Sequence, residues 1–221
     1  MKIYDLGQIP DIHNMYFIYG KGGLGKTTIA KQFPGKKFII SLDYSTNAVN
    51  KESEFGGLFF EKSDYKNIQQ LIMSVIEHAS EGIKGVKYDT LILDDVTRLQ
   101  DLVLQNIENS SKDGRANYYK LQNWLGELSE TLKTSGLNIY ATAHETEISD
   151  SVMKHYTADM NEKAFIRFTA AFDIVGRIYS DNGTRMIDVD IDSGNHVKNR
   201  IDNRKKILAT ELMTPEKKEE L

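Results

Sequence analysis

Gly20-Lys21-Gly22-Gly23-Leu24-Gly25-Lys26-Thr27-Thr28 decides how this chain reads. It follows Met15-Tyr-Phe-Ile-Tyr19, an apolar run that predicts a buried strand, and precedes a short helical segment over 26–32 stopped by Pro34-Gly35. The spacing G-x-x-x-x-G-K-[ST] between a strand and a helix is that of a phosphate-binding loop. Its glycines let backbone N–H groups turn inward around phosphate oxygens. The helix start adds free donors and a favourable dipole. Lys26 is placed for the β- and γ-phosphates, and Thr27 for an oxygen on Mg²⁺. ATP is the default nucleotide, because no guanine-reading motif is evident.

Outward from the loop, the chain alternates strands and helices. Phe38-Ile-Ile-Ser-Leu42 predicts a strand closed by Asp43, and Thr90-Leu-Ile-Leu93 another closed by Asp94-Asp95. Leu137-Asn-Ile-Tyr-Ala-Thr-Ala143 predicts a fourth, closed by His144-Glu145. Ile68, Leu71, Ile72, Val75, Ile76 and Ala79 recur at helical spacing, so 64–81 reads as an amphipathic helix. Helices are also expected over 98–108 and 118–134. Residues 44–63 and 109–117 read as loops, and 145–165 as loop with some helix. Runs at 172–179 and 185–191 flank Asp181-Asn-Gly183, a strong hairpin turn. The alternation predicts a three-layer αβα fold with a mostly parallel central sheet and a C-terminal β-hairpin. Residues 1–14 form a polar lead, 15–210 the domain and 211–221 a charged, frayed tail.

Ligands of open α/β sheets collect beyond the carboxyl ends of the strands. Asp94 ends an apolar strand, the position for an aspartate that holds Mg²⁺; the plainer reading is a helix cap. Asp95 either caps the following helix or orients the attacking water. Asp43 either polarises that water or is a turn residue. His144, on the same edge, either senses the γ-phosphate or is an ordinary strand-end histidine. Lys198-Asn-Arg200 and Arg204-Lys-Lys206 form the most basic stretch. Lys198 and Arg200 are candidates for the phosphates of a neighbouring subunit or for a DNA backbone; a solvated face is the plain alternative. Arg98, Lys112 and Arg115 are further DNA candidates, and Tyr118 and Tyr119 candidates for base stacking.

The bulk numbers bound these readings. The 221 residues suit one domain. A formal charge of −4 argues against a uniformly basic surface, but not against a local basic groove. With no cysteine, disulfides and thiolate-held metals are excluded. The five histidines are scattered without ligand spacing, so Mg²⁺ brought by the nucleotide is the metal expected. No run is long enough to span a bilayer, so no membrane partner is expected and the protein should be soluble and intracellular.

These segments together resemble the phage-encoded P-loop NTPases with a RecA-like core, the Sak4-type single-strand annealing proteins. The likeness runs over about 13–205. It rests on the early phosphate loop, Lys31-Gln-Phe-Pro34, Asp43, Leu91-Ile-Leu-Asp-Asp-Val-Thr-Arg-Leu99, the Trp124 helix, Ile139-Tyr-Ala-Thr-Ala-His-Glu145, Phe172-Asp-Ile-Val-Gly-Arg177 and Lys198-Asn-Arg200. It implies a DNA-stimulated, Mg²⁺-dependent ATPase that binds single-stranded DNA and promotes annealing or strand pairing. It further implies a homo-oligomer, a single-strand-binding protein among its partners, and the cytoplasm of a phage-infected or lysogenic bacterium. By position, Asp43 takes the place of the catalytic glutamate and His144 that of the γ-phosphate sensor. Ile201 and Asp202 stand where related K-N-R-F-G motifs carry Phe-Gly.

Lys21-Gly-Gly-Leu-Gly-Lys-Thr-Thr28 also meets the signature of partitioning-type ATPases, in which the first lysine crosses a dimer interface. That class, or a nucleotide-binding module without turnover, is the alternative. Strand order separates the two ATPase classes: a strand inserted between the loop strand and the Asp94 strand marks the RecA-like class, and direct neighbours mark the partitioning class.

Overall fold

A computed structural model describes residues 3–110, 114–149 and 154–215. Strand β1 (Met15–Tyr19) leads through the glycine loop to α1 (Lys26–Ile29), continued by a 3₁₀ turn, Ala30–Gln32. Then come β2 (Lys37–Ser41), β3 (Phe55–Phe59), α2 (Ile68–Glu81), β4 (Thr90–Asp94), α3 (Val96–Ser110), α4 (Gly114–Thr134) and β5 (Asn138–Ala143). The second half holds β6 (Glu145–Ser149), β7 (Lys154–Ala158), α5 (Glu162–Thr169), β8 (Ile174–Asp181), β9 (Thr184–Asp188), β10 (Lys198–Asn199) and β11 (Lys206–Leu208).

The main sheet runs β11-β9-β8-β1-β5-β4-β2-β3, with β10 paired to β8. From β8 to β3 every neighbouring pair is parallel. β5 therefore separates the loop strand β1 from the Asp94 strand β4, the order expected of the RecA-like class rather than the partitioning one.

Strand alternation sorts the core into two layers. Met15, Phe17 and Tyr19 point with Leu91, Leu93, Ile139 and Ala141 towards α2 to α5. Tyr16 and Ile18 point with Ile39, Ile92 and Tyr140 towards α1, Phe33 and the C-terminal segment. The sheet is thus covered on both faces, thickly on one and thinly on the other, as a three-layer α/β fold. Among the described residues no helix is long and apolar enough to cross a membrane.

Several segments differ from the sequence expectation. Residues 44–63, read as loop, contain β3, parallel to β2 at the sheet edge. Its Phe55-Gly-Gly-Leu-Phe59 looks like a turn, yet the glycines are there for close approach. A Cβ on Gly57 would lie 2.5 Å from the Ile39 carbonyl oxygen, and one on Gly56 would strike the Tyr88 hydroxyl.

Residues 145–165 hold the antiparallel pair β6–β7 and the helix α5. This small two-stranded sheet mixes polar residues with Tyr156, Ala158 and Ile148 and so shows no clean apolar alternation, and α5 has only two turns in which to show a period. The expected loop at 109–117 is mostly helix: α3 reaches Ser110, α4 starts at Gly114, and Asn117 is buried. Lys112 lies outside the described residues. The expected hairpin is β8–β9, with Asn182 and Gly183 both at positive φ. The expected tail at 211–221 is packed at its start: Leu212 is buried, and Arg204 donates to the carbonyls of Glu211 and Thr214. Residues 216–221 lie outside the described ones.

Candidate nucleotide site

The site forms where β1, β5, β4 and β2 end. Gly20 must be glycine, because a Cβ there would lie 2.5 Å from the Ile178 carbonyl oxygen of β8. Its N–H donates to Ala143 O at 3.2 Å, which ties the loop to the end of β5. Gly23 and Gly25 take left-handed φ angles of 79° and 85°, open to glycine at no steric cost. Lys21 and Gly22 are exposed on the loop, while Leu24 packs against the α1-side core.

Lys26 opens α1, and its ammonium donates to Gly20 O at 2.7 Å and Lys21 O at 3.1 Å. Burial pulls its pKa down, while Asp95, Asp94, Glu145 and Asp43 push it back up. The Tyr140 hydroxyl donates to Lys26 O at 2.7 Å and holds the first turn of α1 against the sheet.

Asp94 ends β4 in register with Ser41 of β2. Its Oδ2 accepts from Thr27 Oγ1 at 2.7 Å, and its Oδ1 accepts from the Thr142 hydroxyl on β5. Burial raises its pKa, and those two hydroxyls oppose the rise. The Asp94–Asp95 peptide bond is cis. Asp95 is buried; its Oδ1 accepts from Thr97 N at 2.8 Å at the start of α3, and its Oδ2 stands 3.0 Å from His144 Nε2. Burial pushes this carboxyl up to about 6, with His144 pulling it down. Asp95 thus caps α3 and pairs with His144 at once. His144 is held by its own N–H donating to Thr97 Oγ1 at 3.1 Å. Asp43 is exposed and accepts from Ser45 N at 2.9 Å, an Asx turn that aims it into the same cavity.

One cavity of about 300 Å³ brings together the loop residues Gly22, Gly23 and Gly25 to Thr28 with Asp43, Asp94, Asp95 and His144, while Gly20, Lys21 and Leu24 do not line it. Lys198 and Arg200 are not in it. β10 pairs antiparallel with Ile174 and Val175, at the amino end of β8, and so carries them to the opposite edge of the sheet. There Lys198 donates to Thr169 O at 2.8 Å and Arg200 to Ala170 O at 3.2 Å, closing the last turn of α5. Burial, aided by Arg200, lowers the Lys198 pKa to about 8. Arg98 lies exposed over the Tyr65 ring, and Tyr118 and Tyr119 are exposed at the start of α4. A larger, apolar cavity of about 720 Å³ lies at the β3 edge, between Phe38, Leu58, Val75 and Tyr88, away from this chemistry.

The same cavity contains a residue that sequence reasoning missed, Arg185 of β9. Nothing in Thr184-Arg-Met-Ile-Asp188 distinguishes it; only the fold of the hairpin brings it to the loop.

The donor set suits a nucleotide-borne Mg²⁺. Among the described residues no group of three His, Cys, Asp or Glu side chains is arranged to hold a metal on its own. A hydroxyl and a carboxylate in contact, Thr27 and Asp94, are what Mg²⁺ takes from protein when phosphates and water supply the other ligands.

A protein-family model described as AAA domain matches residues 12–201. No curated protein matches the chain. The match takes in both the phosphate loop and the acids of the cavity. Nucleotide binding and ATPase activity are what such a domain carries, and the chain belongs to the AAA domain family of P-loop NTPases.

Proposed function

We propose that the chain is a Mg²⁺-dependent ATPase that binds single-stranded DNA and promotes annealing or strand pairing in phage recombination as a homo-oligomer. The observation that carries this reading is the strand order, with β5 inserted between β1 and β4 and His144 at its end against Asp95. Lys26 and the loop N–H groups hold the phosphates, and Thr27 and Asp94 hold the ion. Asp95 or Asp43 orients the attacking water, and His144 stands at the transferred phosphate.

His144 runs directly into the β6–β7 pair, so a shift at the nucleotide reaches that element along the chain. The base of the pair is firmly held. Arg177 Nε donates to Glu145 Oε2 at 2.8 Å, its guanidinium lies 3.4 Å from the Tyr156 ring centroid, and Tyr19 Oη donates to Tyr156 O at 3.0 Å. The exposed Tyr118 and Tyr119, with Arg167 over the Tyr119 ring at 5.8 Å, offer stacking surfaces for bases.

The test is phosphate release by the native protein and by Lys26→Ala, with and without single-stranded DNA, over a salt series. Native hydrolysis should rise with DNA, DNA binding should weaken steeply with salt, and Lys26→Ala should release no phosphate while unfolding like the native protein. DNA that neither binds nor changes hydrolysis overturns the DNA half of the proposal. Hydrolysis that survives Lys26→Ala overturns the site assignment. Retained ATP binding without phosphate release would make the chain a binding module.

A further inference from the structure

β8 pairs with β1 only as far as Tyr19–Arg177, and it continues to Asp181. The last residues of β8 and the first of β9 therefore rise past the sheet edge, beside the phosphate loop. Their closeness to it is shown by Gly20, whose missing side chain leaves room for the backbone of Ile178. In this hairpin Arg185 pairs with Ser180. Its guanidinium lies over Gly25: a Cβ on that glycine would be 2.5 Å from Arg185 Nη1, and it would also approach Thr28 Oγ1 at 3.7 Å. Among the described residues Arg185 forms no ion pair, and its side chain is exposed.

The flank on which it stands is informative. The order β8-β1-β5-β4 puts Asp94, Asp95 and His144 on one side of β1 and Arg185 on the other. The acids and His144 mark the end where the transferred phosphate sits. The cavity also holds three carboxylates, Asp43, Asp94 and Asp95, against the single loop ammonium of Lys26, so a polyphosphate there calls for further positive charge.

We propose that Arg185 is a nucleotide-binding residue of its own subunit, its guanidinium contacting the non-transferred phosphates of a bound nucleoside di- or triphosphate. The proposal rests on the phosphate-site reading above. Because the contact is to phosphates that ADP and ATP share, it strengthens both complexes equally. It is uniform binding, without preference for the triphosphate.

Calorimetric titration with ADP and with a non-hydrolysable ATP analogue tests it in the native protein, Arg185→Ala, Arg185→Lys, Arg185→Met and Lys26→Ala. Arg185→Ala should weaken both nucleotides by the same factor, roughly tenfold or more, the worth of a hydrogen bond to a charged group. Arg185→Lys should recover part of the loss, and Arg185→Met none of it. Chemical denaturation without nucleotide should be alike for all the Arg185 variants, which separates lost contact from lost fold.

If Arg185→Ala binds ADP as tightly as the native protein while Lys26→Ala does not bind, Arg185 plays no part and the phosphate site stands. Native-like affinity in Arg185→Met would reduce Arg185 to a space-filling role over Gly25. A loss confined to the ATP analogue would move the contact to the transferred phosphate and overturn the placement. A native protein that binds neither nucleotide would overturn both readings.

Discussion

Replacing Asp95 by asparagine should stabilise the folded protein at neutral pH while impairing it as an enzyme. The Asp95 side chain is 4% exposed, and burial raises its carboxyl from 3.8 to about 6. In the unfolded chain it ionises near the lower value. Between those limits the folded state binds more protons than the unfolded one, so stability falls as pH rises. The contribution is complete below about pH 4 and lost above about pH 6. A rise of roughly two pH units in one carboxyl corresponds to about 3 kcal/mol at pH 7.5. Asparagine removes the ionisation and keeps the shape. Its oxygen still accepts from Thr97 N, and its amide faces His144 Nε2.

Urea unfolding of native protein and Asp95→Asn, without Mg²⁺ or nucleotide, should therefore give equal stabilities near pH 4. By pH 7.5 the variant should be ahead by about 2–3 kcal/mol, with its phosphate release depressed. A difference that does not change with pH, or a variant less stable than the native protein at pH 7.5, would refute the claim that Asp95 is held against its own solvation.

Two further substitutions probe the frame around the site. Thr142→Val keeps the volume but removes a hydroxyl donor from the buried Asp94 carboxylate; it should cost about 1–2 kcal/mol of stability at neutral pH and weaken Mg²⁺-dependent nucleotide binding, read by chemical denaturation and calorimetry. Gly57→Ala places a methyl 2.5 Å from the Ile39 carbonyl oxygen, where neither backbone can yield; it should lower stability by about 1–3 kcal/mol, measured by thermal unfolding, through the pairing of β3 with β2.

The parts of the fold legible in the sequence are those whose burial is complete. β1, β2, β4 and β5 have both faces covered, so each appears as a mainly apolar run, and the residues that close these runs are Gly20, Asp43, Asp94 and His144. Position on the chain and position in the site then coincide, because all four strands run the same way. Elements stabilised by something other than apolar burial were not legible. β3 is built on close approach through two glycines, Gly57 to the Ile39 backbone and Gly56 to the Tyr88 side chain, and the β6–β7 pair on Glu145, Arg177 and Tyr156. The first turn of α4 includes a buried asparagine that breaks the apolar stripe. Lys198 and Arg200 were legible as charges but not as a pair held by the carbonyls at the end of α5. Arg185 was hidden for a third reason: it comes to the loop from a strand more than 150 residues later, and no local pattern carries that information.

The hydrogen bonds within the site indicate how a nucleotide would be received under the proposed function. Lys26 donates to carbonyls of its own loop, and Thr27 donates to Asp94. A Mg²⁺-nucleotide would exchange each of these bonds for another: Lys26 from carbonyl to phosphate, Thr27 and Asp94 from each other to the ion and its waters. Hydrogen bonds are conserved in number by such an exchange, so they contribute little net affinity. What changes is charge. Burial raises the pKa of both Asp94 and Asp95, and a neighbouring carboxylate raises each further, Asp43 beside Asp94 and Asp94 beside Asp95. A divalent cation set among them favours their ionised forms and removes that mutual repulsion. The preference for a nucleotide with its metal, over the nucleotide alone, then follows from the crowding of carboxylates around one buried lysine.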